Sequence, residues 1–456
     1  MSDTHRFCDR LARRDILRVG TVGLFGMGLP LAEILARQAY SAEQGAAESG
    51  AAEQGRPPQR DVSLIILFLK GGLSTIDTWD LKPEAPSEFR GPFQSIDTKV
   101  PGIRIGEHLP LCAGQMDKFS LVRSFGHRNS DHGPADHYML TGYHPLAGFN
   151  PTLSPNNQRP AHGSIVAKKL GPRGSVPPYV CLPRMHASAG AAYLGAAVAP
   201  LVVEADPNSP NFSVPDLTPP LAIRSDRLSA RKELRDEIDR FRKSGETEGN
   251  KNAEAVSTFQ RKAFELMTSS AARAAFDIHE EPDKLRETYG RNSLGQSCLM
   301  ARRLVEAGVR CVTIDHTNWD THDNNFHVLK NDLLPLLDRG LSTLLADLSD
   351  RRMLESTLVV VTGEFGRTPR INGNSGRDHW GPSFTLALAG GGIQGGRVVG
   401  KSDARAEKPD GNPYGPEDLA ATMYRLLGIN PDEEFYTPEG RPIKIANGGR
   451  AISELL

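Results

Sequence analysis

TLVVVTGEFGRTPRINGNSGRDHW, Thr357 to Trp380, is the stretch whose reading decides the fold. Leu358, Val359, Val360 and Val361 form a continuous apolar, mostly β-branched run, the pattern of a central parallel strand buried on both faces. The run breaks at Gly363 and hands over to Glu364, Gly366 and Arg367. A short polar loop then leads to Arg377, Asp378, His379 and Trp380. A carboxylate therefore stands at the carboxyl end of a buried strand, where open α/β sheets place their ligands. His379 brings an imidazole back towards it. Glu, His and Asp around one strand end are oxygen and nitrogen donors that suit a divalent metal. The plainer reading is a capped turn with a hydrogen-bonded histidine.

Size and composition agree with an α/β enzyme-like chain. It has 456 residues, 45 of them Gly and 33 Pro, with 6% aromatics, a net charge of −1 and 24% charged residues. Recognition of nucleic acid needs a concentrated basic face, and nothing here supplies one. The five cysteines, Cys8, Cys112, Cys181, Cys298 and Cys311, form no CxxC pair, which argues against a thiolate zinc site. Cys298 and Cys311 lie in apolar segments and read as buried free thiols.

The first 41 residues read as a twin-arginine signal: Arg13 and Arg14 in ARRDILRVG, a weakly apolar stretch from Val19 to Leu35, then small residues at Ala39 to Ser41. An amphipathic N-terminal helix with a chance Arg pair is the alternative. Residues 42–60, rich in Ala, Glu, Gln and Gly, read as a disordered linker, and residues 61–456 as the α/β domain. No later stretch is long and apolar enough to span a membrane. The expected location is the periplasm or the cell surface.

Within that domain Val62 to Leu69 is the first buried strand, ending in Lys70-Gly71-Gly72, with Ser74, Thr75, Asp77 and Asp80 just beyond. Phe119 to Arg123 is a second strand. Residues 124–145 then carry His127, His132, His137 and His144 with Asp131 and Asp136, a dense group in a chain with 13 His. From Pro134 the pattern is helical, with Gly142 as its C-cap and His132 at its N-terminus, a position that favours an anion. The choice there is between a metal or oxyanion site and a polar cap. Residues 146–215 read as loops over the site, with short strands at Tyr179 to Leu182 and Leu201 to Glu204. A helical insertion occupies about 219–300. After the third strand, Arg310 to Ile314, comes DHTNWDTHDNNFH, in which Asp320 and His322 make the best ligand pair, and Asp315 and His316 are near rivals. Asp418 to Leu427 reads as an amphipathic helix.

These segments also match a known family. STLVVVTGEFGRTP is similar to the strand and loop near the C-terminal metal ligands of sulfatases and alkaline phosphatases, which typically read TLVVFTSDHG. EDLAATMYRLLGI resembles the sulfatase helix of the form DIAPTLLELAGI, and MLTGYHP resembles LLTGRYP. With IDTWD, WDTH, GRDHW and the N-terminal Arg pair, the set most resembles the bacterial domain of unknown function 1501, in the alkaline phosphatase-like superfamily. The resemblance implies an α/β fold with a mostly parallel central sheet, helices on both faces and a helical insertion. It also implies departures. The sulfatase nucleophile position falls on His132 and its Arg on Asp136. Glu364 stands where the superfamily has a metal-binding Asp, and Phe365 where it often has a His. The first strand ends without its usual carboxylate, unless Asp77 supplies it.

Two functions follow as expectations. The first is an exported metal-dependent hydrolase of phosphate or sulfate esters. One or two divalent ions (zinc, manganese or calcium) would be held by Asp320, His322, Glu364 and His379. His132 would be nucleophile or oxyanion partner, Ser74 an alternative nucleophile, and Arg367 or Arg377 the anion grip. Asp77, His137, Asp315, His316 and Asp378 are further candidates. The partner would be a small anionic ester or a sulfated or phosphorylated glycan. The second function is a non-catalytic exported metal- or glycan-binding protein on the same fold.

Overall fold

A computed structural model describes residues 61–214 and 269–456. The signal and linker readings, and the insertion up to residue 268, lie outside the described residues.

Eight strands make one sheet: β1 Ser63–Leu69, β2 Phe119–Phe125, β3 Tyr179–Leu182, β4 Leu201–Val202, β5 Cys311–His316, β6 Thr357–Thr362, β7 Phe384–Ala389 and β8 Val398–Val399. Their order is β8-β2-β7-β6-β1-β5-β3-β4. Strand β7 runs antiparallel to both of its neighbours, and every other pairing is parallel. The sheet is mostly parallel, as the apolar runs imply.

Strand β1 shows why it is central. All seven of its residues are buried, and successive side chains leave on opposite faces. Ile65, Leu67 and Leu69 join Val359 and Val361 of β6 in one apolar layer. That layer is roofed by Leu294 to Val305 of α3 (Ser293–Glu306) and Leu334 to Leu348 of α4 (Leu334–Asp350). Leu64, Ile66 and Phe68 face the other way with Leu358 and Val360. Their cover comes from Met139 and Leu140 of α1 (His132–Thr141), Ile165 and Val166 of α2 (His162–Leu170), and Leu419 to Tyr424 of α5 (Pro416–Leu426).

Helix α2 corrects the reading of 146–215 as loops and short strands. Its nine residues are shorter than a confident helical period, and proline-rich sequence flanks it on the N-terminal side. Gly171, at φ 65°, and the last-turn pair Lys168 and Lys169 were the available stop signals. Helix α1 begins at His132, two residues before the expected Pro134, and ends at its expected C-cap, Gly142, left-handed at φ 76°.

Leu67, fully buried at the middle of β1, tests the two-faced core. Leu67→Ala removes a side chain that both β6 and α3 pack against. It should lower the urea midpoint with an unchanged slope, at a cost of about 2–5 kcal/mol.

Candidate metal centre

The centre is built where β1, β5 and β6 end. Strand β1 runs out at Leu69, and Gly71 turns at φ +115°. A Cβ on Gly71 would sit 2.4 Å from the Asp320 backbone nitrogen, so only glycine lets the loop after β5 close against β1. Trp319 N–H donates to the Lys70 carbonyl at 3.2 Å and fixes that approach. From the other side, Gly366–Arg367 pairs antiparallel with His379–Trp380, which sets His379 opposite Arg367. Helix α1 presents His132 from its first turn.

Four side chains converge. Asp320 Oδ2 lies 3.2 Å from His132 Nε2, and Oδ1 lies 3.0 Å from His379 Nε2 and 3.1 Å from His322 Nε2. The Nε2 atoms of His322 and His379 are 2.9 Å apart. Each imidazole is tied at its other nitrogen to an acceptor. His132 Nδ1–H donates to Glu364 Oε1 at 2.6 Å, His322 Nδ1–H to Asp378 Oδ1 at 2.6 Å, and His379 Nδ1–H to the Ser130 carbonyl at 2.9 Å. With the proton on Nδ1 in a neutral ring, each Nε2 lone pair points at Asp320; His132, Asp320 and His379 bring one ligand atom each within 4.8 Å of one another, and His322 joins from the His379 side. Lone pairs so placed repel, and a cation between them removes the conflict. Nδ1–H anchoring to carboxylate or carbonyl is also how metal-bound histidines are oriented. Three nitrogens and one carboxylate fit tetrahedral zinc, whose ligand atoms stand about 3.3 Å apart when bonds are near 2.0–2.1 Å.

Arg367 holds the carboxylate. Its Nη2 donates to Asp320 Oδ1 at 2.5 Å and to the Gly71 and Trp319 carbonyls, and its Nε to Gly72 O at 3.0 Å. Burial alone would raise the Asp320 carboxyl; the Arg367 hydrogen bond and charge outweigh it and hold Asp320 well below the usual carboxylate range. Burial lowers His379, whereas His132, opposed by burial, is pushed up by Glu364 and Asp320. Phe365 stacks on His379 at 4.5 Å and forms the apolar floor. The side chains of Asp320 and His322 are 42% and 40% exposed, so the cluster opens to solvent.

Several expected roles move. Glu364 is fully buried, with Gly71 N–H at 2.8 Å and His132 on its Oε1, so it orients His132 and is not itself in the converging set. His132 points its Nε2 at Asp320 Oδ2, 3.2 Å away. Ser74 is buried and donates to Asp77 Oδ2 at 2.6 Å. Asp77 is itself paired with Arg377, both side chains at 0% exposure, and accepts from Asn325. Arg377 spends its remaining donors on the Thr368, Pro369 and Phe89 carbonyls. Ser74, Asp77 and Arg377 are thus one buried strut holding the loop that carries Asp378 and His379. Arg367 is likewise spent inside. Asp315 is buried away from the cluster with its Oδ1 unpartnered, and burial raises its carboxyl. The Gly71-Gly72 turn was legible in the sequence, but the Ser130 carbonyl was not, because a backbone acceptor leaves no side-chain signature.

The family model described as protein of unknown function (DUF1501) matches residues 61–456. No curated protein matches. Among solved structures, the chain is similar to the lipoteichoic acid synthase LtaP from Listeria monocytogenes. They share 11% identity over 82% of this chain and 73% of that one, at a TM-score of 0.37. It is also similar to the PsFucS1 sulfatase from Pseudoalteromonas sp., at 14% identity over 84% and 70% with a TM-score of 0.34. A third is the phosphonate monoester hydrolase SpPMH from Silicibacter pomeroyi, at 13% over 87% and 76% with a TM-score of 0.32.

Four other histidines are locked neutral by donors, which separates them from the cluster. His127 Nδ1 accepts Asn129 N–H, His137 Nε2 accepts Gln158 N–H, and His316 Nδ1 accepts Trp319 Nε1–H. His162 Nδ1 accepts the Tyr424 hydroxyl while its Nε2–H donates to Met139 O. This removes His137 and His316 from the candidate ligands. Burial pulls each of the four down to about 4. A histidine held neutral in the fold binds its proton first in the unfolded chain, so stability is full above about pH 6.5 and falls towards pH 4. For His162, fully enclosed, the loss is about 3 kcal/mol. Chemical denaturation across pH 4–7 should show this fall, shallower by up to one proton in His162→Gln.

Proposed function

We propose that this chain, which belongs to the DUF1501 family, is an exported metal-dependent hydrolase of phosphate or sulfate esters working through one divalent ion. The observation that carries the reading is the set of three imidazoles, each tied at Nδ1, that turn their Nε2 lone pairs onto Asp320. The fit favours zinc over calcium, because three of the four donors are nitrogen. A bound ion would polarise the ester oxygen and make water a stronger nucleophile near neutral pH. The ester class follows from the sulfatase-like motifs around Thr357–Trp380 and Asp418–Leu427, and the exported state from the N-terminal Arg pair. No helix among the described residues is long and apolar enough to cross a membrane.

The surrounding residues assign the remaining work. Glu364 and Asp378 fix the tautomers of His132 and His322, and Arg367 keeps Asp320 ionised. With Ser74 bonded to Asp77 and His132 in the donor set, neither is available to attack the ester. We therefore assign the attack to water in a single displacement, without a covalent enzyme intermediate. That neither His132 nor Ser74 is free to attack also favours the second reading, a metal- or glycan-binding protein without turnover.

Metal analysis of the untagged folded protein should give one equivalent of tightly held zinc or a similar ion, lost in His379→Ala. No metal under any loading condition would sink the hydrolase and leave a glycan-binding protein. Screening the loaded protein against phosphate and sulfate esters should show chelator-sensitive hydrolysis. One bound equivalent with no turnover on any ester would leave the binding protein. Rapid quench with a turned-over ester should show no initial burst and no labelled protein; a trapped adduct on His132 or Ser74 would overturn the water mechanism.

A further inference from the structure

Among the described residues five arginines are buried: Arg159, Arg286, Arg302, Arg367 and Arg377, between 0% and 9% exposed. Four have side-chain acceptors. Arg302 meets Glu281, Glu306 and Asp347; Arg367 meets Asp320; Arg377 meets Asp77. Arg286 is held by Gln296 Oε1 at 2.8 Å and His279 Nδ1 at 3.2 Å. Arg159 is the exception. Its guanidinium makes no ion pair and no hydrogen bond among the described residues, and its Nε is buried without a partner. The ring of Tyr143 lies 5.2 Å from the guanidinium carbon, and His137 and Tyr193 are also near enough to feel its charge.

A buried donor such as the Arg159 Nε, left without an acceptor, is costly. A cation over an aromatic face returns about 0.5–2 kcal/mol. The difference is left for something outside the described chain to supply. The guanidinium fork matches the paired oxygens of an oxyanion such as sulfate or phosphate. We infer that Arg159, backed by the face of Tyr143, is a binding site for a tetrahedral oxyanion, separate from the metal cluster.

The site is held in place rather than floating. Asn157 Nδ2 donates to the Arg159 carbonyl at 2.9 Å, and Pro160 follows directly. Tyr143 N–H donates to Thr141 Oγ1 at 3.1 Å, and its hydroxyl donates to the Lys444 carbonyl. Helix α1 connects the two sites: His132 lies at its start in the cluster, and Tyr143 just past its end. Ten helical residues span about 15 Å, which sets the separation and makes the two sites independent in ligand atoms. The subsite stands whether or not the metal cluster turns over an ester.

The test is thermal unfolding of the full protein against sodium sulfate, with sodium chloride balancing ionic strength. The wild type should gain midpoint temperature with a saturating dependence on sulfate, because a ligand that binds only the folded state stabilises it by mass action. Arg159→Met should lose that dependence, and His379→Ala should keep it. Without sulfate, Arg159→Met should unfold no earlier than the wild type, since it removes a buried unpaired charge. Arg159→Lys, which keeps the charge but not the fork, should need at least tenfold more sulfate for the same gain. A second arm separates the sources. If a sulfated oligosaccharide protects at a concentration at least tenfold below free sulfate, and its desulfated form does not, the oxyanion is ligand-borne; equal potency assigns the site to the free ion. Equal protection of Arg159→Met and wild type, protection of neither, or an anion-independent loss of stability in Arg159→Met would overturn the subsite. The last result would mean that a carboxylate of the chain itself meets the arginine.

Discussion

The carboxylate of Glu364 is the constraint on which the centre depends. It is wholly buried, an arrangement that is costly for a charge unless hydrogen bonds replace its water. Gly71 N–H and His132 Nδ1–H supply them, and the Glu364 carbonyl takes His127 Nε2–H at 2.7 Å. One residue thus locks the end of β6 to the turn after β1 and to the first turn of α1. The lock works only because Gly71 has no Cβ and the Asp320 loop can lie against it. Moving any of the three elements would leave a buried carboxylate unpaired, so they hold one another in place.

That lock separates two populations of histidine that look alike in the sequence. His127, His137, His162 and His316 each receive a hydrogen bond on one ring nitrogen, which forbids a proton there and leaves them neutral packing residues. His132, His322 and His379 receive none. Each donates from Nδ1, so its Nε2 is the free end, and the free ends meet. The direction of a hydrogen bond, not the density of histidine, distinguishes structure from site.

This explains what the sequence could and could not tell. The strands were legible because β1 and β6 are apolar on both faces, a pattern few other structures produce. Asp320, His322 and His379 were legible because strand ends in α/β sheets gather ligands. The place of His132 at a helix start was legible too, but not the way its ring turns, because its partner Glu364 lies 232 positions away. Asp77 and Arg377 failed for the same reason: they are 300 positions apart, and only the fold shows that each consumes the other. Helix α2 was lost among prolines and glycines whose local signals favoured a loop.

The fate of the arginines bears on how charge is handled. Arg367 and Arg377 lie where an anion grip was expected, yet both face inward and bracket carbonyls of the strand-end loops. Arg367 also neutralises Asp320, leaving the donor set one charge less negative than its formula suggests. Because Arg367 keeps Asp320 ionised far into acid, that ligand is ready at any ordinary pH. Loss of a bound cation on acidification would then follow protonation of the three imidazoles, which compete for the same lone pairs. A centre arranged in this way gives its positive ends to the scaffold, so attraction of an anionic ester falls to the ion itself.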